Sequence, residues 1–412
     1  MNCLEKNNIP VGYKDSAVGI IPQEWCVFDF GDIAYVSKEK YTPTKSSHIA
    51  CVELEHLSQG DGVLLGYTEA GVQKSTKNIF KKGNILFGKL RPYLRKYWMA
   101  TFEGVCSSEI WVLNTNEEVC IKEYLYRLIS SERFIQFANV SIGSKMPRAD
   151  WDFVSLTPFS VPPMEEQRKI AEILGVWDEA IEKQSQLIEK LELRKRALMQ
   201  RLLTGRTRLP GFTTPWRKVK LGEICKRVTR RNEENNQNVM TISAQKGFVS
   251  QTDFFNKSVA SSTLDNYYLV LKDEFCYNKS YSNGYPMGAI KRLKEADKAV
   301  VTTLYICFSI ADSKRLDINF FEQFCESGGL NRGLMKVANE GGRAHGLLNV
   351  TPTDFFSLVM LLPTLPEQKA IAEVLAAADD EIATHRKKLD ALRLQKRGLM
   401  QQLLTGKTRV KI

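Results

Sequence analysis

From Ile170 onward the apolar positions Ile170, Leu174, Trp177, Ile181, Ile188, Leu191, Leu198 and Leu202 follow alternating steps of four and three, broken only at Gln184 and Lys195. The same rhythm returns at Ile371, Leu375, Ala378, Ile382, Leu389, Leu392, Leu399 and Leu403, broken at His385 and Lys396. Steps of this kind form a heptad seam, so each stretch predicts one long amphipathic helix. A proline fits the first turn of a helix, and Pro163 and Pro366 stand at the two starts; a Thr-Gly pair closes each end. Each helix should run for about 37 residues, or about 55 Å at 1.5 Å per residue.

The two stretches are copies. An offset of 201 aligns "EQRKIAEIL" with "EQKAIAEVL" and "LMQRLLTGRTR" with "LMQQLLTGKTR" without a gap. A helix packed only on its own domain would also be amphipathic, but a shared heptad period favours the helices pairing with each other. An antiparallel pair centred near residue 186 brings Asp178 towards Lys396 and Asp379 towards Lys195, which gives the lysines on the seam a reason.

Before each helix lies a less regular part. "IPQEWCVFDFGDI" resembles "TTPWRKVKLGEI", aligning Trp25 with Trp216 and Gly31 with Gly222. Strand-like runs such as "VVTTLYICFSI", Gly, Asn and Asp turns, and a short amphipathic segment, "IKEYLYRLISSERFIQFA", predict mixed α/β (α+β) globular domains. The chain therefore divides into a first domain at 1–163, a helical repeat at 164–208, a second domain at 209–365 and a C-terminal helical repeat at 366–412. The whole is a tandem repeat that acquires a pseudo-two-fold axis if its helices run antiparallel.

The formal charge of +11 over 412 residues suggests a polyanionic partner. The first 164 residues nevertheless hold 18 basic and 18 acidic side chains, so any nucleic-acid surface there must be a local patch. No apolar run is long enough to span a bilayer and the N-terminus lacks an apolar signal region, so no membrane span and a cytoplasmic location are expected. The nine cysteines then stay thiols, and with no CxxC spacing no metal site is expected.

Catalytic patterns are also missing: no Walker A loop, GxGxxG, HExxH or GxSxG, and no NPP or DPP core of an amino-methyltransferase. His48, His56, His345 and His385 make no paired ligand spacing. What the domains do hold is basic residues interleaved with aromatics. "FKKGNILFGKLRPYLRKYW" offers Lys89, Arg91, Tyr93 and Arg95, and "FCYNKSYSNGYPMGAIKR" offers Lys279, Tyr281, Asn283, Tyr285 and Arg292. Lys and Arg in such loops clamp phosphates, while Asn, Arg and Tyr reach base edges. Two further segments just before the helices, "SIGSKMPRADW" and "NEGGRAHGLLN", add Lys145, Arg148, Arg343 and His345. A solvated edge strand carrying protective lysines would read similarly.

The order of parts resembles the specificity subunit of a Type I restriction-modification system, carried by the paired helix starts and ends, "GNILFGKLRPYLRK" and "YNKSYSNGYPMGAIKR". The resemblance implies two target-recognition domains, each reading one half of a bipartite site in double-stranded DNA, held apart by an antiparallel coiled coil. It also implies two methyltransferase (M) subunits docked on the helices and restriction (R) subunits in the full complex. S-adenosylmethionine, ATP and magnesium would then be used by those partners, with no cofactor and no catalytic residue in this chain. Lys89 and Arg91 would hold phosphate or shape the loop rather than choose a base. A two-domain protein-binding scaffold or adaptor is the other reading.

Overall fold

The computed structural model describes residues 9–140, 146–251, 264–338 and 348–412. Two helices dominate the chain, Met164–Leu202 and Leu365–Leu404. The chain forms two compact units, residues 1–185 with 388–412 and residues 186–387, so the unit boundaries cut through both long helices rather than falling at their ends.

In the first unit the strand Cys26–Asp29 pairs antiparallel with Pro158–Val161, the strand that leads into the first long helix. Between them lie a four-stranded sheet and a five-stranded sheet. The order in the first is Tyr97–Met99, Ile85–Gly88, Ile110–Thr115, Ala34–Val36, all antiparallel. The expected short amphipathic segment is two helices, Lys122–Ser130 and Glu132–Ala138. Ser131 divides them because its hydroxyl accepts from the Phe134 amide, the N-cap bond that starts a new helix.

The second unit repeats the plan. Arg217–Lys220 pairs with Val359–Leu362, and a four-stranded sheet runs Cys225–Val228, Ile306–Ile310, Phe275–Asn278, Ala289–Arg292. The run "VVTTLYICFSI" is not one strand: Lys298–Val301 and Ile306–Ile310 belong to different sheets, with Thr302–Tyr305 turning between them. Gly31 and Gly222, aligned in the sequence, do the same work. A Cβ on Gly31 would stand 3.3 Å from the Ser155 carbonyl, and one on Gly222 3.3 Å from that of Phe356, so each lets a short helix approach the backbone before the long one.

The seam positions are buried or half-buried. At the helix starts they also enter the domain cores: Ile170 and Leu174 pack with Trp25, Phe30 and Phe134, and Ile371 and Leu375 with Leu221, Phe320 and Phe355. Segments of the two helices run antiparallel within each unit. In the first, Lys396 pairs with Asp178; in the second, the Lys195 ammonium lies 2.6 Å from Asp379 and Arg386 lies 2.5 Å from Glu192. The register expected from the repeated charges is the one observed. Gln184, which interrupts the seam, is itself buried.

Candidate nucleic-acid interface

The repeated "EQ" at the helix starts is explained by what it binds. Glu166 is completely buried; it accepts from the Trp25 indole at 2.9 Å and from the Arg409 guanidinium at 2.8 and 3.0 Å. Glu367, equally buried, accepts from Trp216 at 3.1 Å and from Arg208 at 2.5 and 2.7 Å. A buried carboxylate needs such partners, and the bidentate guanidinium supplies both charge and geometry. These bonds hold the Arg208 and Arg409 guanidinium pKa values up. The arginine closing one copy of "LLTG-TR" thus binds the glutamate opening the other copy. The neighbouring Gln167 donates to the Val119 and Pro162 carbonyls and accepts from the Ile121 amide; Gln368 does likewise with Arg315, Pro363 and Asp317. Each glutamine stitches a long helix to the start of a short one. Gly406 and Gly205, with φ +68° and +69°, turn the chain back onto the tryptophan side.

On that frame the basic loops emerge. The buried strand Ile85–Gly88 ends at Lys89, and the loop after it contains Arg91 at φ +53° and Arg95 at φ +51°, flanking the turn Pro92–Leu94. A left-handed conformation in a residue with a Cβ is strained and is kept where surroundings enforce it. Here the enforcement comes from "MPRADW": the Arg91 amide donates to the Pro147 carbonyl at 2.8 Å and the Ala149 amide to that of Lys89 at 2.8 Å. The structure therefore brings Lys89, Arg91 and Arg148 onto adjoining segments. Arg91 and Tyr93 are exposed, Lys89 half-buried. Arg148 pairs with Glu109 at 2.9 Å, and Arg95 pairs with Glu132. Lys145 lies outside the described residues.

The second unit builds the same junction from other residues. The strand Phe275–Asn278 ends at Lys279, whose carbonyl accepts from the Leu348 amide at 3.1 Å, the counterpart of the Lys89 bond. Tyr281 and Asn283 are exposed and Lys279 is half-buried. Tyr285 is turned inward, donating to Glu326 at 2.8 Å and accepting from the buried Lys291, and burial beside that carboxylate pushes its phenol well above the usual range. Arg292 is engaged by Asp273 at 2.5 Å and Glu322 at 3.3 Å. Arg343 and His345 lie outside the described residues.

The hairpin tip at Gln245 and Lys246 lies outside both basic runs of the sequence yet stands beside the Asn283 loop. Its signal was a Lys-Gly pair between two short alternating runs. Among the described residues no group of three His, Cys, Asp or Glu is placed to hold a metal ion, and no helix is long and apolar enough to cross a membrane. Burial pushes the Cys51, Cys120 and Cys225 thiols up to about 12, far from a reactive thiolate.

A family model of the Type I restriction modification DNA specificity domain matches residues 22–193. A Type I restriction enzyme specificity subunit of Escherichia coli, EcoDI, is 28% identical over 187 residues, 44% of this chain and 41% of that protein. The alignment therefore spans less than half of that relative. A putative MjaX specificity subunit of Methanocaldococcus jannaschii is 25% identical over 97% of both chains. Among solved structures, a chain from work on complex assembly and conformational transition of the type I R-M system superposes with a TM-score of 0.59 at 18% identity, covering 94% of this chain and 99% of that one. At that identity the likeness speaks for the fold.

Proposed function

We propose that the chain is a specificity subunit of a Type I restriction-modification system, as its similarity to that family supports, and that each globular part reads one half of a bipartite site in double-stranded DNA. The observation that carries this reading is the recurrence of one loop junction with different exposed chemistry. Lys89, Arg91 and Tyr93 stand at it in the first unit, Lys279, Tyr281 and Asn283 in the second. Basic groups grip phosphate at both, and the unlike neighbours read unlike bases.

The chain itself is non-catalytic and cytoplasmic. Two methyltransferase subunits dock on the repeated helices and use S-adenosylmethionine. Restriction subunits bring ATP- and magnesium-dependent cleavage. The helices set the gap between half-sites, so a heptad inserted into each should lengthen the unread spacer by roughly three base pairs, seven residues rising about 10 Å.

The test is methylation of a randomised DNA library by the chain with its methyltransferase partner, followed by sequencing of modified sites. A two-part motif with a fixed gap is expected, and no methylation by the chain alone with S-adenosylmethionine. Methyl transfer by the purified chain, or a single undivided motif, would overturn the proposal.

A further inference from the structure

In the second unit Met240–Ser243 and Gly247–Ser250 form an antiparallel ribbon that pairs Ser243 with Gly247. Ala244, Gln245 and Lys246 are thus a three-residue turn, closed by Gly247 at φ +77°, the left-handed position such turns require. Ala244 is buried, which leaves Gln245 and Lys246 as the exposed tip. The ribbon is fastened to the loop junction at two points. Asn278, the residue before Lys279, donates from Nδ2 to the Ile242 carbonyl at 3.2 Å, and Gln245 donates from Nε2 to the Asn283 carbonyl at 3.0 Å.

That second bond fixes the orientation of the Gln245 amide. A carbonyl oxygen only accepts, so the nitrogen must face Asn283 and the flipped amide is disfavoured. One Nε2 hydrogen and the Oε1 oxygen then remain for another partner. Adenine in the major groove presents the complement, an N7 acceptor next to an N6 donor, and a two-stranded ribbon is narrow enough to enter that groove. Lys246 adjoins Gln245 at the exposed tip, and Lys279 directly follows Asn278, the residue that ties the ribbon to the loop junction.

The geometry points to Gln245 as an adenine-reading residue of the second half-site, with Lys246 on a neighbouring phosphate. The inference rests on the proposed function and assigns it a specificity determinant outside the two basic loops.

The experiment uses the full chain complexed with its methyltransferase partner on a library with both half-sites randomised. With Gln245→Ala, one position of the second half-site should relax from adenine, its preference falling roughly tenfold or more, while the first half-site stays unchanged. Gln245→Glu keeps only acceptors and should move that position towards cytosine, whose N4 amino group donates. Lys246→Ala should weaken methylation of all sequences alike and lower the salt slope by about one. The first half-site, read from the same modified molecules, reports that each variant complex is folded and active. A second half-site unchanged in both Gln245 variants overturns the inference. So does loss of methylation on every sequence with both, since Gln245 would then be structural. A wild-type complex with no bipartite motif overturns the underlying function instead.

Discussion

In the first unit Glu166 is held by Trp25 and Arg409; in the second Glu367 is held by Trp216 and Arg208, with the same atoms in the same roles. At the basic loops the backbone junction is still shared but the side chains differ. Where the first unit turns through two left-handed arginines and exposes Tyr93, the second runs through Lys279 to an exposed Tyr281 and Asn283. The contrast separates two kinds of constraint. A buried carboxylate tolerates few partners, so both copies keep theirs, whereas an exposed loop on a fixed junction can change its chemistry without cost to the fold.

The largest effect should follow from breaking what the units share. Glu166→Ala leaves Arg409 without its bidentate partner and the Trp25 indole without an acceptor; Glu367→Ala does the same to Arg208 and Trp216. Removing one member of a buried pair costs about 3–5 kcal/mol. Denaturant unfolding of the two variants should give losses of that size and similar to each other. A loss in one unit only would mean the repeated contacts are not equivalent in energy.

How much of this was legible beforehand depended on whether a pattern reports local or distant partners. The heptad seam was readable because its period is a property of one helix, and its charge register followed because both copies carry Asp and Lys at the same steps. Trp25 and Glu166, 141 residues apart, were visible only as repeated letters; nothing local says that one donates to the other. The loops were identifiable as basic and aromatic. Which side chains are taken up internally was not, because Tyr285 and Arg292 meet Glu326, Asp273 and Glu322 only through the sheet and the helix Ile318–Glu326.

A smaller effect should distinguish the two seam aspartates. Asp178 accepts from Lys396 and from Arg127, whose side chain is 9% exposed and whose Nε has no partner; Asp379 accepts from Lys195 and the neutral Gln323. Removing Asp178 strands a buried guanidinium, so Asp178→Ala should cost about 2 kcal/mol, discounted because the carboxylate is itself partly exposed. Asp379→Ala strands one ammonium, whose side chain is 18% exposed, and no second cation, so it should cost less, about 1 kcal/mol. Equal losses would show that burial of Arg127 adds nothing to the first unit.

At the loops the comparison predicts a difference in kind with little change in stability. Arg91→Ala should weaken binding to all DNA sequences in the partnered complex and reduce the slope of log affinity against log salt by about one, the signature of a lost phosphate contact. Tyr281→Ala removes no charge and should leave that slope unchanged while altering preference in the second half-site. Binding titrations at several salt concentrations with matched and mismatched half-sites separate the two. A changed half-site with an unchanged slope for Arg91→Ala would assign that arginine to a base.

The smallest expected effect lies where the two clamps differ. In the first unit Arg409 also reaches Glu24 at 2.9 Å, while in the second Arg208 donates instead to the Thr214 carbonyl at 2.9 Å. Only the first clamp therefore carries an exposed acid that titrates. The backbone amide of Glu24 and then the Arg409 guanidinium hold its carboxyl below the ordinary value of 4.5. A folded-state pKa below the unfolded one gives stability that is present above the unfolded value and lost as pH falls through the folded one. Acidification below about 4.5 should thus weaken the Glu24 contribution, and Glu24→Gln should remove that part of the pH dependence without altering stability near neutrality by more than a surface pair contributes. Carboxyl NMR titration of Glu24 in the wild type and in Arg409→Gln tests the cause directly. The midpoint should rise towards the ordinary value when the guanidinium is gone yet stay somewhat below it, because the backbone amide still donates. A midpoint indifferent to Arg409 would leave the backbone as the sole cause and remove this asymmetry between the two clamps.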